Sequence, residues 1–385
     1  MSVDDSHKQT IIIRINENQF PEVFDFNNRT IDPSPLTDAE YIKSKVGDIS
    51  FGDILALPTA GLNPFVLKKN NMDTECAKIN SLIASEFGKI KNDKKIAGVI
   101  GGTGISTDPF GETSFTELIS AYDEQVNALD DHVDLFIIDR ISSMPDMRAA
   151  LLSCKKTDKA VLICIDADHF ENTGNNRVSS LTGLITAQEM GADGYGVAFS
   201  KEQKDEDVAA LINELTSYSK IPLMMDLSFF DSAPAEKLTC LGVDMFICSV
   251  KQQPPLRSSK KFFKPPAIDD FFVFTHYGSM FFLKADTTEI SEPIRCQPDM
   301  EDIITEVCST SCDVLRVEIN SSDDAIDFAR NSHMSTIPVM FVSENLIALK
   351  MALMLYQGIA LIDSSTLIPK KDLEKICKKY GAVVY

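Results

Sequence analysis

The most regular feature of the chain is an alternation of short apolar runs with longer amphipathic stretches. Apolar runs stand at 10–15 (TIIIRI), 53–57 (DILAL), 96–100 (IAGVI), 133–139 (VDLFIID), 160–166 (AVLICID), 194–199 (GYGVAF), 221–227 (IPLMMDL) and 243–250 (VDMFICSV). Between them, 73–89 places Cys76, Ile79, Leu82, Ile83 and Phe87 at spacings of three and four. The stretches 114–129 and 206–218 repeat the pattern, with Phe115, Leu118, Ile119, Tyr122 and Val126 in the first and Val208, Leu211, Ile212 and Leu215 in the second. That spacing gives a helix one buried stripe. Continuous apolar strands between such helices imply a parallel sheet covered on its outer face. Taking 10–15 as a separate N-terminal strand, the remaining runs plus an eighth strand near 22–26 predict a (β/α)8 TIM barrel, a fold of about 250 residues. A doubly wound open sheet is the alternative.

The pattern breaks at 252–270 (QQPPLRSSKKFFKPPAIDD), which holds two Pro-Pro pairs and the basic cluster Arg257, Lys260, Lys261 and Lys264. Proline cannot continue a strand or helix interior. The chain is therefore divided into a barrel at 1–255, a linker at 256–270 and a second α/β domain at 271–385. The basic cluster reads as a solvated linker or a contact for an acidic partner. The second domain opens on a β-hairpin, 271–286, with a Tyr-Gly turn. Strands then recur at 314–319, 337–342, 359–363 and 382–385, with helices at 300–308, 322–330, 346–356 and 370–379. This is about half of a second barrel. An open half-barrel exposes sheet edges and an apolar inner face, for which Met340, Val342, Leu361 and Val383 are suitable residues. The hairpin reads as too short to cover that face. Docking on the first domain or a homodimer through the half-barrel would cover it, and two-fold closure favours the dimer.

Charge narrows the class of partner. Lys and Arg total 37 against 57 Asp and Glu, a net charge of −20. Binding to nucleic acid phosphates or anionic lipid is not expected from that balance. No targeting or membrane-spanning segment is visible, and the nine scattered cysteines suit a reducing, cytoplasmic setting rather than a disulfide framework. Cys164 and Cys248 lie within apolar runs and read as small buried hydrophobes.

The order of motifs resembles the homocysteine S-methyltransferase domain of cobalamin-dependent methionine synthase. VFDFNNRT (23–30) takes the place of the family's Asp-Gly-Ala-Met-Gly-Thr turn. DILALPTAGLN (53–63), IAGVIGGTG (96–104), VDLFIIDRI (133–141), GADGYGVAFS (191–200) and GVDMFICSVKQQP (242–254) follow in family order. The second region resembles the first half of the pterin-binding domain of the same enzymes, through CDVLRVEIN (312–320), IPVMFVSENLIALKMAL (337–353), GIALIDSST (358–366) and KKYGAVVY (378–385).

That resemblance implies zinc, held by three cysteines, which lowers the pKa of the homocysteine thiol. Carried over position by position, those ligands fall on Phe199, Ser249 and Val250, and none can supply a thiolate. The family's acids that hold the substrate amino group fall on Asp25 and Asp139. Thr103 is kept in the Gly-Gly-Thr-Gly loop. These three are the vestigial substrate-binding candidates. The family's Asp-Val-Asn in the pterin domain becomes Arg316, Val317 and Glu318, and its Asn of Ile-Asn-Ser becomes Asp363. Zinc and folate sites are thus expected to be lost, with cobalamin reached only through a partner. The implied function is a catalytically degenerate binding or scaffold protein, partnered by a corrinoid protein or an intact methyltransferase. A methyltransferase with another mode of activation and a small-molecule binder remain as alternatives.

Three further groups carry chemistry on sequence alone. GGTG (101–104) follows a strand and could cradle an anion. Asp166, Asp168 and His169 stand at a strand end, where barrel sites sit and a metal could bind. Cys308 and Cys312, with His333 nearby, have the types but not the number of ligands for zinc.

Overall fold

A computed structural model describes residues 9–25, 30–32, 34–47, 49–69, 72, 75–172, 176–201, 203–228, 230, 235–249, 272–284 and 286–385. The linker with Arg257, Lys260, Lys261 and Lys264, and Val250, lie outside the described residues. The chain divides into two compact units.

The first is a TIM barrel. Its strands are β1 (Thr10–Arg14), β4 (Ile54–Ala56), β5 (Lys95–Gly101), β6 (Leu135–Ile141), β7 (Ala160–Asp166), β8 (Gly194–Ala198), β9 (Leu223–Asp226) and β10 (Val243–Ser249). They close in the order β1-β10-β9-β8-β7-β6-β5-β4, each parallel to its neighbours. The eighth strand is thus Thr10–Arg14. The segment expected to supply it forms instead a short antiparallel pair, β2 (Phe24–Asp25) with β3 (Thr30–Ile31). The reason lies in the apolar pattern. Ile11, Ile12 and Ile13 are wholly buried and offer a continuous apolar strand, whereas the apolar run before Asp25 is broken by that charge and only Phe24 and Asp25 are paired.

Amphipathic helices cover the barrel, at the stretches 73–89 and 114–129 read from the spacing and at three others that the spacing did not single out. These are α1 (Ala39–Val46), α2 (Pro64–Lys68), α3 (Cys76–Gly88), α4 (Phe115–Asp130) and α5 (Met144–Cys154). Asp38 caps α1, Asn63 caps α2 and Ser143 caps α5, each accepting a backbone N–H of the first turn. The lower barrel interior is apolar, with Ile12, Val99, Ile137, Leu162, Met224 and Ile247 among its buried residues. Gly196 lets β8 lie against β9, since a Cβ there would fall 2.3 Å from the Met224 carbonyl oxygen.

The helix after β7, α6 (Asn176–Glu189), groups with the second unit, as does Ser106–Phe115. The next helices, α7 (Asp205–Tyr218) and α8 (Ala235–Cys240), belong with the barrel. In the second unit, β11 (Phe272–His276) and β12 (Ser279–Leu283) form the expected hairpin about Tyr277 and Gly278. A parallel sheet follows from β13 (Ile294–Arg295), β14 (Leu315–Glu318), β15 (Val339–Val342), β17 (Leu361–Ile362) and β18 (Val383–Val384). Its helices are α9 (Glu301–Cys308), α10 (Ser322–Asn331), α11 (Leu346–Leu355) and α12 (Lys370–Tyr380). A capping box of Ser321 and Asp324 starts α10, and Gly381, at φ +77°, ends α12.

The inner face of this sheet is covered within the unit, against the expectation that the hairpin is too short. A strand of two residues, β16 (Gly358–Ile359), pairs with β11, and the chain runs on past Ala360 into β17. The hairpin is thereby tied to the face it covers. Phe274, Leu283, Val314, Met340, Ile359 and Leu361 form one buried cluster, with Val383 and Tyr385 packed against it. Met340 is 1% exposed and Leu361 fully buried. Thr182 and Thr186 of α6 add hydrogen bonds to Gly278 and Thr275. Among the described residues, no helix is long and apolar enough to cross a membrane.

Candidate functional site at the barrel mouth

Strand carboxyl ends in a parallel barrel carry inward side chains into the mouth. Three of the strands carry a buried charge there: Arg14 ends β1, Asp226 ends β9 and Asp139 stands two residues before the end of β6. All three are buried, at 6%, 6% and 2% exposure. Arg14 donates from Nη2 to Asp139 Oδ1 at 2.6 Å and from Nη1 to Asp226 Oδ2. Ser228 adds its backbone N–H, at 2.9 Å, and its hydroxyl, at 2.6 Å, to the other oxygen of Asp226.

Arg140 completes the cluster. It has a left-handed backbone, φ +50°, at a point where the register of β6 against β7 shifts between Asp139 and Ile141. A β-bulge of this kind re-aims a side chain. Here the guanidinium lies 2.5 Å from Asp226 Oδ2 and also donates to the Phe199 carbonyl at 3.2 Å.

Electrostatics separate the two acids. Burial alone would raise Asp226, but two guanidiniums and Ser228 hold it below the usual carboxylate range. Burial raises Asp139; its contact with Arg14 opposes the shift without cancelling it, and the charge on Asp226 adds to it. Nearby, burial also raises Glu17, whose carboxylate accepts the Gly61 N–H at 3.1 Å. Burial beside the two aspartates pushes the Cys164 thiol well above its ordinary value. The mouth therefore holds an ionised Asp226, a more basic Asp139 and two fixed guanidiniums. Such divergence of paired acids is typical of functional sites.

The structure sorts the expected site residues. Asp139 lies in this cluster. Asp25 does not stand at the end of a barrel strand; it is half-buried on the β2–β3 pair. Phe199 follows β8 and is 5% exposed. Ser249 ends β10 and is paired in register with Arg14. Thr103 belongs to a different group: its hydroxyl and N–H donate to Asp146 Oδ1 at 2.8 and 3.3 Å, where Tyr122 also donates at 2.5 Å. The Gly-Gly-Thr-Gly loop thus does hold an anion, but it is the chain's own carboxylate.

The same holds at Asp166. It accepts from the Asp168 N–H at 3.1 Å and from the Ser200 hydroxyl at 2.6 Å, with His169 Nδ1 at 3.1 Å. The thiol of Cys308 lies 3.7 Å from the Ser335 hydroxyl, and the His333 ring packs on Phe110. Among the described residues, no group of three His, Cys, Asp or Glu side chains is placed to hold a metal ion. Arg14, Arg140, Asp226 and Glu17 were not singled out from sequence. Arg14 and Asp226 had a readable signal, a lone charge at the carboxyl end of an otherwise apolar run.

Residues 53–227 match the family model of homocysteine S-methyltransferase, so this part of the barrel is similar to that family. The match spans β4 to β9; β1, which carries Arg14, and β10, which carries Ser249, lie outside it. No curated protein sequence matches the chain. Among solved structures, the apo homocysteine methyltransferase MmuM from Escherichia coli is similar at 12% identity and a TM-score of 0.45, covering 65% of this chain and 94% of that one. Type I 3-dehydroquinate dehydratase from Clostridium difficile is similar at 14% identity and 0.39, covering 67% and 88%. Orotidine 5'-monophosphate decarboxylase from Methanocaldococcus jannaschii is similar at 11% and 0.37, covering 65% and 94%. The fold itself rests on the closed strand order.

Proposed function

We propose that the barrel is a homocysteine S-methyltransferase-like domain without zinc-thiolate chemistry, acting as a binding or scaffold protein in methyl transfer or one-carbon metabolism. A corrinoid protein or an intact methyltransferase is the fitting partner. The observation that carries this reading is the side chain at the first ligand position. Phe199 is buried there and has no lone pair for a metal. Ser249 at the second position supplies a hydroxyl, a poor zinc ligand beside a thiolate. The donor set does not fit the metal.

The second unit supports the same reading. Where the resemblance implies an acid and an amide for the pterin ring, Arg316 and Asp363 form an ion pair. The pair engages the Asp363 carboxylate, which leaves less for a ring amide.

Thermal melting of the full chain with homocysteine plus zinc, methyltetrahydrofolate or cobalamin tests the proposal, because a ligand that binds only the native state raises the melting point. No zinc-dependent shift with homocysteine is expected. Saturable methylation of homocysteine by the purified chain would overturn the reading in favour of an active methyltransferase.

A further inference from the structure

The helices of the second unit lie side by side on one face of its parallel sheet, because crossovers between parallel strands share one hand. In that layer α11 packs between α10 and α12. Ala348, Leu349, Ala352 and Leu353 form the buried side of α11. Its other side is also apolar. Ile347 is 72% exposed, and Met351 and Leu355 follow at spacings of four, half-buried. A helix that is apolar all round belongs inside a core. Leu367, 77% exposed, stands by the start of α11, because the Thr366 hydroxyl donates to the Ser343 carbonyl at 2.5 Å. Leu367 and Ile347 are the two most exposed large apolar side chains among the described residues.

The flanks of this stripe carry opposite charge. On α12, Lys370, Lys371, Lys375 and Lys378 are all exposed, and none has an ion-pair partner among the described residues. Lysines of the barrel are treated differently: Lys45, Lys91, Lys156 and Lys159 pair with Glu22, Asp134, Asp123 and Asp130. On α10, Asp323 is exposed and Asp327 half-buried, and the helix's one cation, Arg330, is engaged by Asp108 at 3.0 Å. The face thus runs from acid through an apolar centre to base.

We infer that this layer docks a second copy of the chain, in a two-fold pair that sets α11 on α11 and the acidic α10 of each copy against the basic α12 of the other. A two-fold axis running along α11 makes both charge matches at once. An axis across the helices would set lysine on lysine. The apolar stripe supplies the burial, and the charges choose the orientation. This is a different dimer from one through the inner face of the sheet, which Phe274 and Leu283 already cover. It rests on the second unit alone, so its failure would leave the proposed function intact.

The test is sedimentation velocity on the full chain, up to about 100 µM, above the micromolar dissociation constants of weaker interfaces. The wild type should be a dimer in that range. Lys371→Glu with Lys375→Glu sets acid against acid, and Asp323→Lys with Asp327→Lys sets base against base. Each double variant should associate at least ~10-fold more weakly. An equimolar mixture of the two should dimerise like the wild type, because the altered α12 of one meets the altered α10 of the other and the second contact keeps its native charges. Recovery in the mixture separates a lost contact from a lost fold. Ile347→Glu should be monomeric, with the melting curve of a folded chain. A monomeric wild type, double variants that associate like the wild type, or a mixture that stays monomeric would each overturn the inference. So would a wild type that stays monomeric and binds another acidic protein through α12.

Discussion

The two units share one alternation of strand and helix but finish their strand ends differently. In the barrel, eight parallel strands close, and the charges at their carboxyl ends are drawn inside. Arg14, Asp139 and Asp226 have side-chain exposures of 7%, 6% and 1%. In the second unit, five parallel strands remain open, and a second small sheet is folded against them. Its corresponding ion pair, Arg316 within β14 and Asp363 just after β17, stays 28% and 12% exposed. Closure makes charge at a strand end a core problem, whereas an open sheet leaves it at the water boundary. The same residue types should then carry very different energies in the two units.

The largest expected effect follows from that contrast. Arg14→Ala removes the shared partner of two buried acids and should cost roughly 3–5 kcal/mol, read by denaturant unfolding and by faster hydrogen exchange in the barrel strands. Next comes the cover of the open sheet. Met340→Ala should cost roughly 2–5 kcal/mol through the cavity left beneath Phe274 and Leu283, with the loss of exchange protection confined to the second unit. A result near zero would mean that the hairpin does not seal this face.

A third effect depends on pH. His276 is buried in the second unit, with Nε2 3.0 Å from the Ser332 carbonyl and its ring stacked on Tyr356. Burial lowers its pKa to about 4, and the nearby His333 adds to the shift. The unfolded chain therefore binds the proton more readily than the native one. Stability from this group is complete above about pH 6.5 and is lost as the pH falls toward 4, by up to roughly 3 kcal/mol. His276→Asn should flatten that part of the stability–pH curve, and an unchanged slope would show that other groups set it. The smallest effect is expected at the half-exposed pair, where Arg316→Ala should cost about 1 kcal/mol or less. A loss as large as that of Arg14→Ala would erase the distinction between the two units.

Much of this architecture was legible in the sequence because it rests on periodicity. The apolar stripe of 206–218 became α7 and that of 114–129 became α4, each within a residue. Closure was less legible. TIIIRI and VFDFN are both short, and only a count of consecutive buried residues chooses the first as the barrel strand. The cover of the second sheet was misjudged because hairpin length says nothing of where the chain goes next. The link from β16 to β17 holds the hairpin in place. At the site, Asp139 was found through resemblance. Arg14 was missed because a charge inside an isoleucine run reads as the strand's end rather than as its purpose. The Gly-Gly-Thr-Gly loop was read as a cradle for an anion and the Asp166 group as a place where a metal could bind. Their partners, Asp146 with Tyr122 and Ser200, come from distant segments that no local spacing reveals.

The central claim is that the barrel mouth no longer supports zinc-thiolate chemistry. Its most direct test is the zinc content of the full chain, purified without chelator and measured by elemental analysis, with anomalous scattering to place any metal found. The account predicts far less than one zinc per chain and none at Phe199 or Ser249. One zinc per chain at the carboxyl ends of β8 and β10 would contradict it.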